Sequence, residues 1–340
     1  MPGPEHGSLP GYENRATLVV NEWHSERRAP VSLESVWDTH WGEILETFDG
    51  GRGSGFALVL IDDVGYLRVM GQLIRPKDDL PHAVTLGRHS RCGLRIVSDP
   101  YVALRHLVLA LAPSSASLEV LDLRTEEGFI IDGIGAARSA IADGAISLSL
   151  AGIRLVALPL CADTSWASSP DDAWSRFFAS PAIRVSRELR RTPVAHREHH
   201  TPETLVSVVE PVLHLSDVAS FEDREGDLEY GNELRVARVM LEGPFGRTSV
   251  PLSDEDLQRG VLVGRYDRCA GSAGGHVFDQ AVSRVHALLK RDDDGQVFLI
   301  DTGSTFGSVI NHARTPCAQL SNGQRAWLSE QSSLQYFEMQ

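Results

Sequence analysis

Several things are scarce in this chain, and each absence excludes something. Only four cysteines occur in 340 residues, Cys92, Cys161, Cys269 and Cys317. None forms a Cys-x-x-Cys pair, so neither a zinc module nor a dense disulfide framework is expected. No apolar run approaches the roughly 18–20 residues that span a bilayer. The first residues, Met1-Pro-Gly-Pro-Glu5, lack the basic start and apolar core of a secretory signal. The chain therefore reads as soluble and cytoplasmic. Cations are scarce too: 32 Lys and Arg stand against 46 Asp and Glu, a formal charge of −14. Nucleic acid and anionic membrane, which need a basic footprint, are thereby disfavoured as main partners. There is no Walker loop, no kinase His-Arg-Asp set, no Gly-x-Ser-x-Gly elbow and no metal-ligand spacing. No enzymatic activity, metal or cofactor is expected.

What is present is enough apolar material, 42% of residues, to fill real cores. The length suits two domains of ordinary size with connecting segments. Apolar positions over 31–48 recur at three- and four-residue steps, which predicts an amphipathic helix with an aromatic stripe. The Gly-rich run 49–55 ends it and reads as a hinge. Many short strand-like segments follow, separated by turn residues: 56–61, 66–74, 83–86, 95–97, 107–111, 118–121 and 129–131 among them. That spacing is the signature of a β-sandwich or barrel. Residues 161–231 are polar and rich in Ser, Pro and Asp, with short helices expected within 171–191 and 202–214. Their His196–His200 tract lacks regular ligand spacing and reads as solvated linker.

The pattern is duplicated. Gly87–Cys92 matches Gly264–Cys269 at an offset of 177 residues. His106 answers His286 at 180, Asp122 answers Asp301 at 179, and Gly144 answers Gly323 at 179. A near-constant offset over separate landmarks means two tandem copies with small loop differences.

The second copy carries three blocks in order: Gly264–Arg265, then Ser283–Arg284–Val285–His286, then Asp301 through Ser304–Thr305–Phe306–Gly307. In this order and setting the segment resembles the forkhead-associated (FHA) family. The resemblance implies a β-sandwich that binds phosphothreonine peptides through loops at one end. Arg265 suits the phosphate because a planar guanidinium donates two parallel hydrogen bonds. Ser283 adds a hydroxyl, and Arg284 adds attraction or reads an acidic neighbour. By resemblance, Thr305 touches the phosphate, Ser304 ties the loop's own backbone and His286 organises the loop without meeting ligand. Gly264 and Gly307 allow backbone that bulky residues resist. Phe306 stands where the family usually has an Asn holding the peptide backbone. An amide is lost there and an apolar surface gained.

The first copy keeps Arg88, but Ala103 and Leu104 replace the Ser and Arg. Glu126 and Glu127 occupy the positions of Thr305 and Phe306, and either carboxylate is placed to pair with Arg88. Two negative charges beside a dianion argue against phosphate binding. The chain thus divides into a tail and helix (1–55), a degenerate FHA-like domain (56–160), a partly helical linker (161–231) and an FHA domain (232–340). The fold class is dominated by β-structure. The expected function is a non-catalytic phosphothreonine-dependent adaptor in Ser/Thr kinase signalling, its partner a phosphorylated protein or the kinase itself. Thr192, Thr201 and Thr204 in the linker are candidate internal phosphosites. The alternative is a scaffold component whose two FHA-like domains bind partners without phosphate.

Overall fold

The computed structural model describes residues 18–20, 32–48, 55–62, 65–74, 80–97, 99–111, 116–123, 125, 128–160, 169–178, 183–184, 213–214, 235–266, 269 and 277–339. Expectations for the N-terminal tail, for Glu126 and Glu127, for the His tract and for the three linker threonines lie outside the described residues.

Two β-sandwiches form. In the first, one sheet runs in the order Leu18–Val20, Leu94–Ile96, His82–Gly87, Leu107–Leu111, Leu118–Asp122, Ser139–Ala142 and Ile183–Arg184. The facing sheet runs Leu67–Ile74, Gly55–Asp62, Ile153–Leu160, Ile146–Leu150, Phe129–Ile131 and Gly135–Ala137. Period-2 alternation sends Leu107, Leu109, Leu111, Leu118 and Val120 inward to meet Phe56, Leu58, Leu60 and Leu155.

The second sandwich repeats the plan. Leu213–His214, Val261–Val263, Ala287–Arg291, Val297–Asp301 and Cys317–Gln319 form one sheet. Gly246–Ser253, Arg235–Gly243, Ser333–Glu338, Arg325–Trp327, Ser308–Ile310 and Ala313–Thr315 form the other. Val239, Leu241, Ala287, Leu289, Leu299 and Tyr336 meet between them.

The amphipathic segment is the helix Leu33–Phe48. Its buried stripe, Val36, Trp37, Trp41, Ile44 and Phe48, covers the outer face of the strand Gly55–Asp62 through Ala57, Val59 and Ile61. A second helix, Pro170–Phe178, packs beside it. Trp37 stacks on Trp41 with centroids 4.6 Å apart, meets Phe178 edge-on at 5.3 Å and donates its indole N–H to the Pro170 carbonyl. The helix expected over 202–214 is corrected at its end, where Leu213–His214 extends as a strand along Val261–Leu262. An edge strand with open N–H and C=O groups outweighs local helical pattern there. The helix Asp254–Arg259 was not anticipated. Its signal was a capping box in which Ser253 and Asp256 bond each other's backbone amides.

The sandwiches pack on one another through corresponding strands. Val108, Ala110, Leu121 and Leu123 of the first meet Leu262, Val285, Leu288, Phe298, Ile300 and Cys317 of the second. These are the side chains that alternation turns away from each sandwich's own core. Lys290 crosses the join to Glu119 at 2.7 Å.

Phe298→Ala should therefore cost about 3–5 kcal/mol of unfolding free energy in urea, the usual range for an aromatic ring removed from a closed core. A loss under ~1 kcal/mol would mean that this face stands open to water.

Candidate functional site

The candidate site lies where the strand Val261–Val263 ends. Arg265 and Tyr266 donate their backbone N–H groups to Ser283 and Arg284 carbonyls at 3.1 and 2.9 Å. That pairing brings two backbones so close that a Cβ on Gly264 would lie 2.1 Å from the Arg284 carbonyl oxygen. Glycine is required there by proximity. The Arg265 side chain donates its Nε–H to the Val282 carbonyl at 2.8 Å. This anchors one edge of the guanidinium, and among the described residues its terminal nitrogens take no protein partner. Arg284 is exposed beside it.

The turn carrying Val282 and Ser283 is set by Asp279. Its carboxylate accepts from the Ala281 amide at 2.6 Å and from the Ser332 hydroxyl at 2.7 Å, and also from Ser329. Burial works against its charge, but these donors hold Asp279 below the usual carboxylate range. Ser283 is buried, and its Oγ accepts the Thr305 backbone N–H at 2.9 Å, so the second and third blocks are joined directly.

His286 is fully buried behind them. Its Nδ1 accepts from the Ser283 amide at 3.2 Å, which leaves the ring proton on Nε2. Nε2 faces the Asp301 carboxylate at 3.8 Å, beyond hydrogen-bond range. Burial pushes His286 down to about 4, against the opposing pull of Asp301 and the Gly307 backbone, with Arg105 and Arg314 lowering it further. The ring is neutral at physiological pH.

Asp301 gathers the third block. One oxygen accepts from the Gly303 and Ser304 amides at 2.9 and 2.7 Å. The other accepts from the Ser304 and Ser308 hydroxyls at 2.6 and 2.9 Å. Ser304 Oγ in turn accepts the Gly307 amide at 2.8 Å. The amides of Gly303, Ser304, Thr305 and Gly307 are thus bonded within the domain, and the Thr305 side chain is exposed. Gly307 has φ +85°, and a Cβ there would strike Arg314. That arginine was not singled out from the sequence: its guanidinium lies 5.8 Å over the Phe306 ring. Phe306 is thus half-buried and capped by a cation.

The first sandwich repeats several bonds of this framework but differs at the side chains that face outward. Arg88 Nε donates to Val102 at 2.5 Å, Ala103 N donates to His106 Nδ1 at 3.1 Å, and His106 Nε2 donates to the Gly128 carbonyl at 2.9 Å. Thr125 takes the part of Ser304, bonding Asp122 at 2.6 Å and accepting from Gly128 N at 3.0 Å. Burial pushes Asp122 up, with the Thr125 hydroxyl and Arg138 countering. Ala103 supplies no hydroxyl, and Leu104 and Tyr101 are exposed apolar groups at the rim.

Residues 261–328 match the family described as FHA domain. No curated protein matches the chain. Solved structures similar to it include the Slr1951 protein of Synechocystis sp., 24% identical over 32% of this chain and 99% of that one, with a TM-score of 0.26. FHA-1 of Rv1747 from Mycobacterium tuberculosis is 22% identical over 31% and 99%, with a TM-score of 0.24. The FHA domain of CT664 from Chlamydia trachomatis is 21% identical over 32% and 100%, with a TM-score of 0.26.

The buried His286 makes a pH prediction. Its folded-state pKa lies below the unfolded value near 6.5, so its neutral form stabilises the fold above that value. This contribution is lost as pH falls from about 6.5 to about 4. In NMR titration the His286 ring resonances should hold still down to pH 5 and move near 4; a midpoint at 6.5 would mean a solvated ring and an unlatched loop.

Proposed function

We propose that the FHA domain at 261–328 makes this chain a phosphothreonine-dependent protein-binding adaptor, with Arg265, Ser283 and Thr305 receiving the phosphate. One observation carries this reading. Arg265 is fixed through Nε while its outer nitrogens take no partner among the described residues, beside a Ser283 hydroxyl that is itself fixed by the Thr305 amide. A dianion is thereby offered a prepaid geometry: two parallel guanidinium donors, one hydroxyl proton and a second hydroxyl at Thr305. The acidic body makes this a local positive spot, to which Arg284 and Arg314 add long-range attraction.

Phosphothreonine, the ligand the family resemblance implies, is the expected form in this reading, with phosphoserine as the comparison. Phe306 with Arg314 across its face offers an apolar and cationic platform, in place of an amide, to residues beside the phosphothreonine. Loss of one neutral hydrogen bond is worth only ~1 kcal/mol, less than those made to a charged phosphate. The partner is a threonine-phosphorylated protein in Ser/Thr kinase signalling. The first sandwich makes protein contacts without phosphate, since Ala103 gives no donor. A scaffold reading, in which neither copy reads phosphate, draws its support from Ala103 and Phe306.

Calorimetry of the full chain against a degenerate phosphothreonine peptide library tests the proposal. The whole chain is the right reagent because a separated second sandwich would expose Leu262, Leu288 and Phe298. Binding should be selective over phosphoserine and unphosphorylated peptides. Arg265→Ala should weaken it on the order of a hundredfold, the loss of two charge-assisted bonds. Binding that ignores the phosphate would favour the scaffold.

A further inference from the structure

The backbone of the loop Thr302–Gly303–Ser304 is satisfied from two directions. Its inward N–H groups go to Asp301, and the next amide, that of Thr305, goes to Ser283. Its carbonyls point the other way, out of the second sandwich, and the first sandwich meets them. Arg105 Nε donates to the Thr302 and Gly303 carbonyls at 3.1 and 3.2 Å, and its Nη2 donates to Gly303 at 2.7 Å. Arg91 Nη1 donates to the Ser304 carbonyl at 3.2 Å. Gly303 itself, at φ +79°, comes so near that a Cβ would lie 2.9 Å from the Arg91 carbonyl oxygen.

We infer that Arg105, seconded by Arg91, is a positioning residue for the binding site of the other sandwich, so that the degenerate copy sets the loop that presents Thr305. Neither arginine lies where ligand would. Both act through three consecutive carbonyls that carry no other hydrogen bond among the described residues. The contrast between copies supports this. In the first, the equivalent loop is held within its own sandwich, where Arg138 bonds both the Thr125 carbonyl and Asp122. In the second, the residue equivalent to Arg138 is Pro316, whose carbonyl accepts the Asp301 amide as that of Arg138 accepts the Asp122 amide; no guanidinium stands there, and the support comes from across the join. Arg105 occupies the position that Val285 fills in the other copy, so the substitution turns an apolar contact residue into a three-bond clamp.

The binding readout of this inference rests on the phosphothreonine reading; its structural readout does not. The experiment pairs calorimetry, using the phosphothreonine library, with amide NMR of the peptide-free full chain, for Arg105→Ala, Arg105→Lys and Glu119→Gln. Glu119 serves as control because its partner Lys290 lies on the same join, at the strand end away from the loop. Arg105→Ala should shift the amide resonances of Gly303, Ser304 and Thr305 and weaken binding about tenfold, a common size for coupling between sites. Arg105→Lys, with its charge but no fork, should recover part of both. Glu119→Gln should change neither. Unmoved amides with unchanged affinity in Arg105→Ala would overturn the inference, as would equal weakening by Glu119→Gln, which would reduce the arginine to general support of the join. If the wild-type chain binds no phosphothreonine peptide, the functional reading falls, and the amide shifts alone decide the clamp. If Arg105→Ala does not fold, the same measurements on Arg105→Lys decide it: intermediate shifts and affinity sustain the clamp, wild-type values overturn it.

Discussion

A loop that offers hydrogen-bond donors and hydroxyls to a ligand must first satisfy its own backbone, because an unpaired buried amide or carbonyl costs about as much as a hydrogen bond gains. In this protein that constraint is met by a partly buried carboxylate at the end of a strand. Asp301 takes two amides and two hydroxyls, and the Gly307 and Thr305 amides go to Ser304 and Ser283. The arrangement of the candidate site follows from it: Thr305 is exposed, Ser283 is tied to the Thr305 amide, and Arg265 pairs with the Ser283 backbone. Asp122 performs the same service in the first sandwich with Thr125. The framework therefore persists in the first sandwich, where Ala103 stands in the place of Ser283.

That separation of framework from chemistry explains how two copies of one plan diverge within a single chain. Cores, turns and the buried histidine are kept because their loss would cost stability throughout the sandwich. The rim residues carry no such cost. Ala103 in place of the Ser283 type removes a donor without disturbing the Ala103 N–H bond to His106. On the outer faces, the same freedom produced a join. Corresponding strands bury apolar side chains against one another, and the arginines of the first copy face the carbonyls of the second.

The sequence made much of this legible. Strand spacing pointed to sandwiches, the step pattern of Trp37, Trp41, Ile44 and Phe48 to a core-facing helix, and the offset between Gly-Arg pairs to duplication. The three blocks of the second copy do come together at one end, because each sits at a strand terminus whose position the fold fixes. What stayed hidden depended on relations the chain does not write locally. Arg105 looks like any polar loop residue until the two sandwiches meet, and Arg314 gives no sign of lying over Phe306. Gly264 was read as conformational freedom, yet its reason is a neighbouring backbone 2.1 Å from where a Cβ would stand. The Ser253–Asp256 capping box was readable and overlooked.

The most direct test of the central claim is a crystal structure of the full chain bound to a phosphothreonine peptide. The phosphate should sit within hydrogen-bond distance of the Arg265 guanidinium and Ser283 Oγ, with Phe306 against the residues that follow and Arg105 still on the Thr302 and Gly303 carbonyls. A phosphate bound at Arg88, or a peptide lying away from the Thr305 loop, would contradict it.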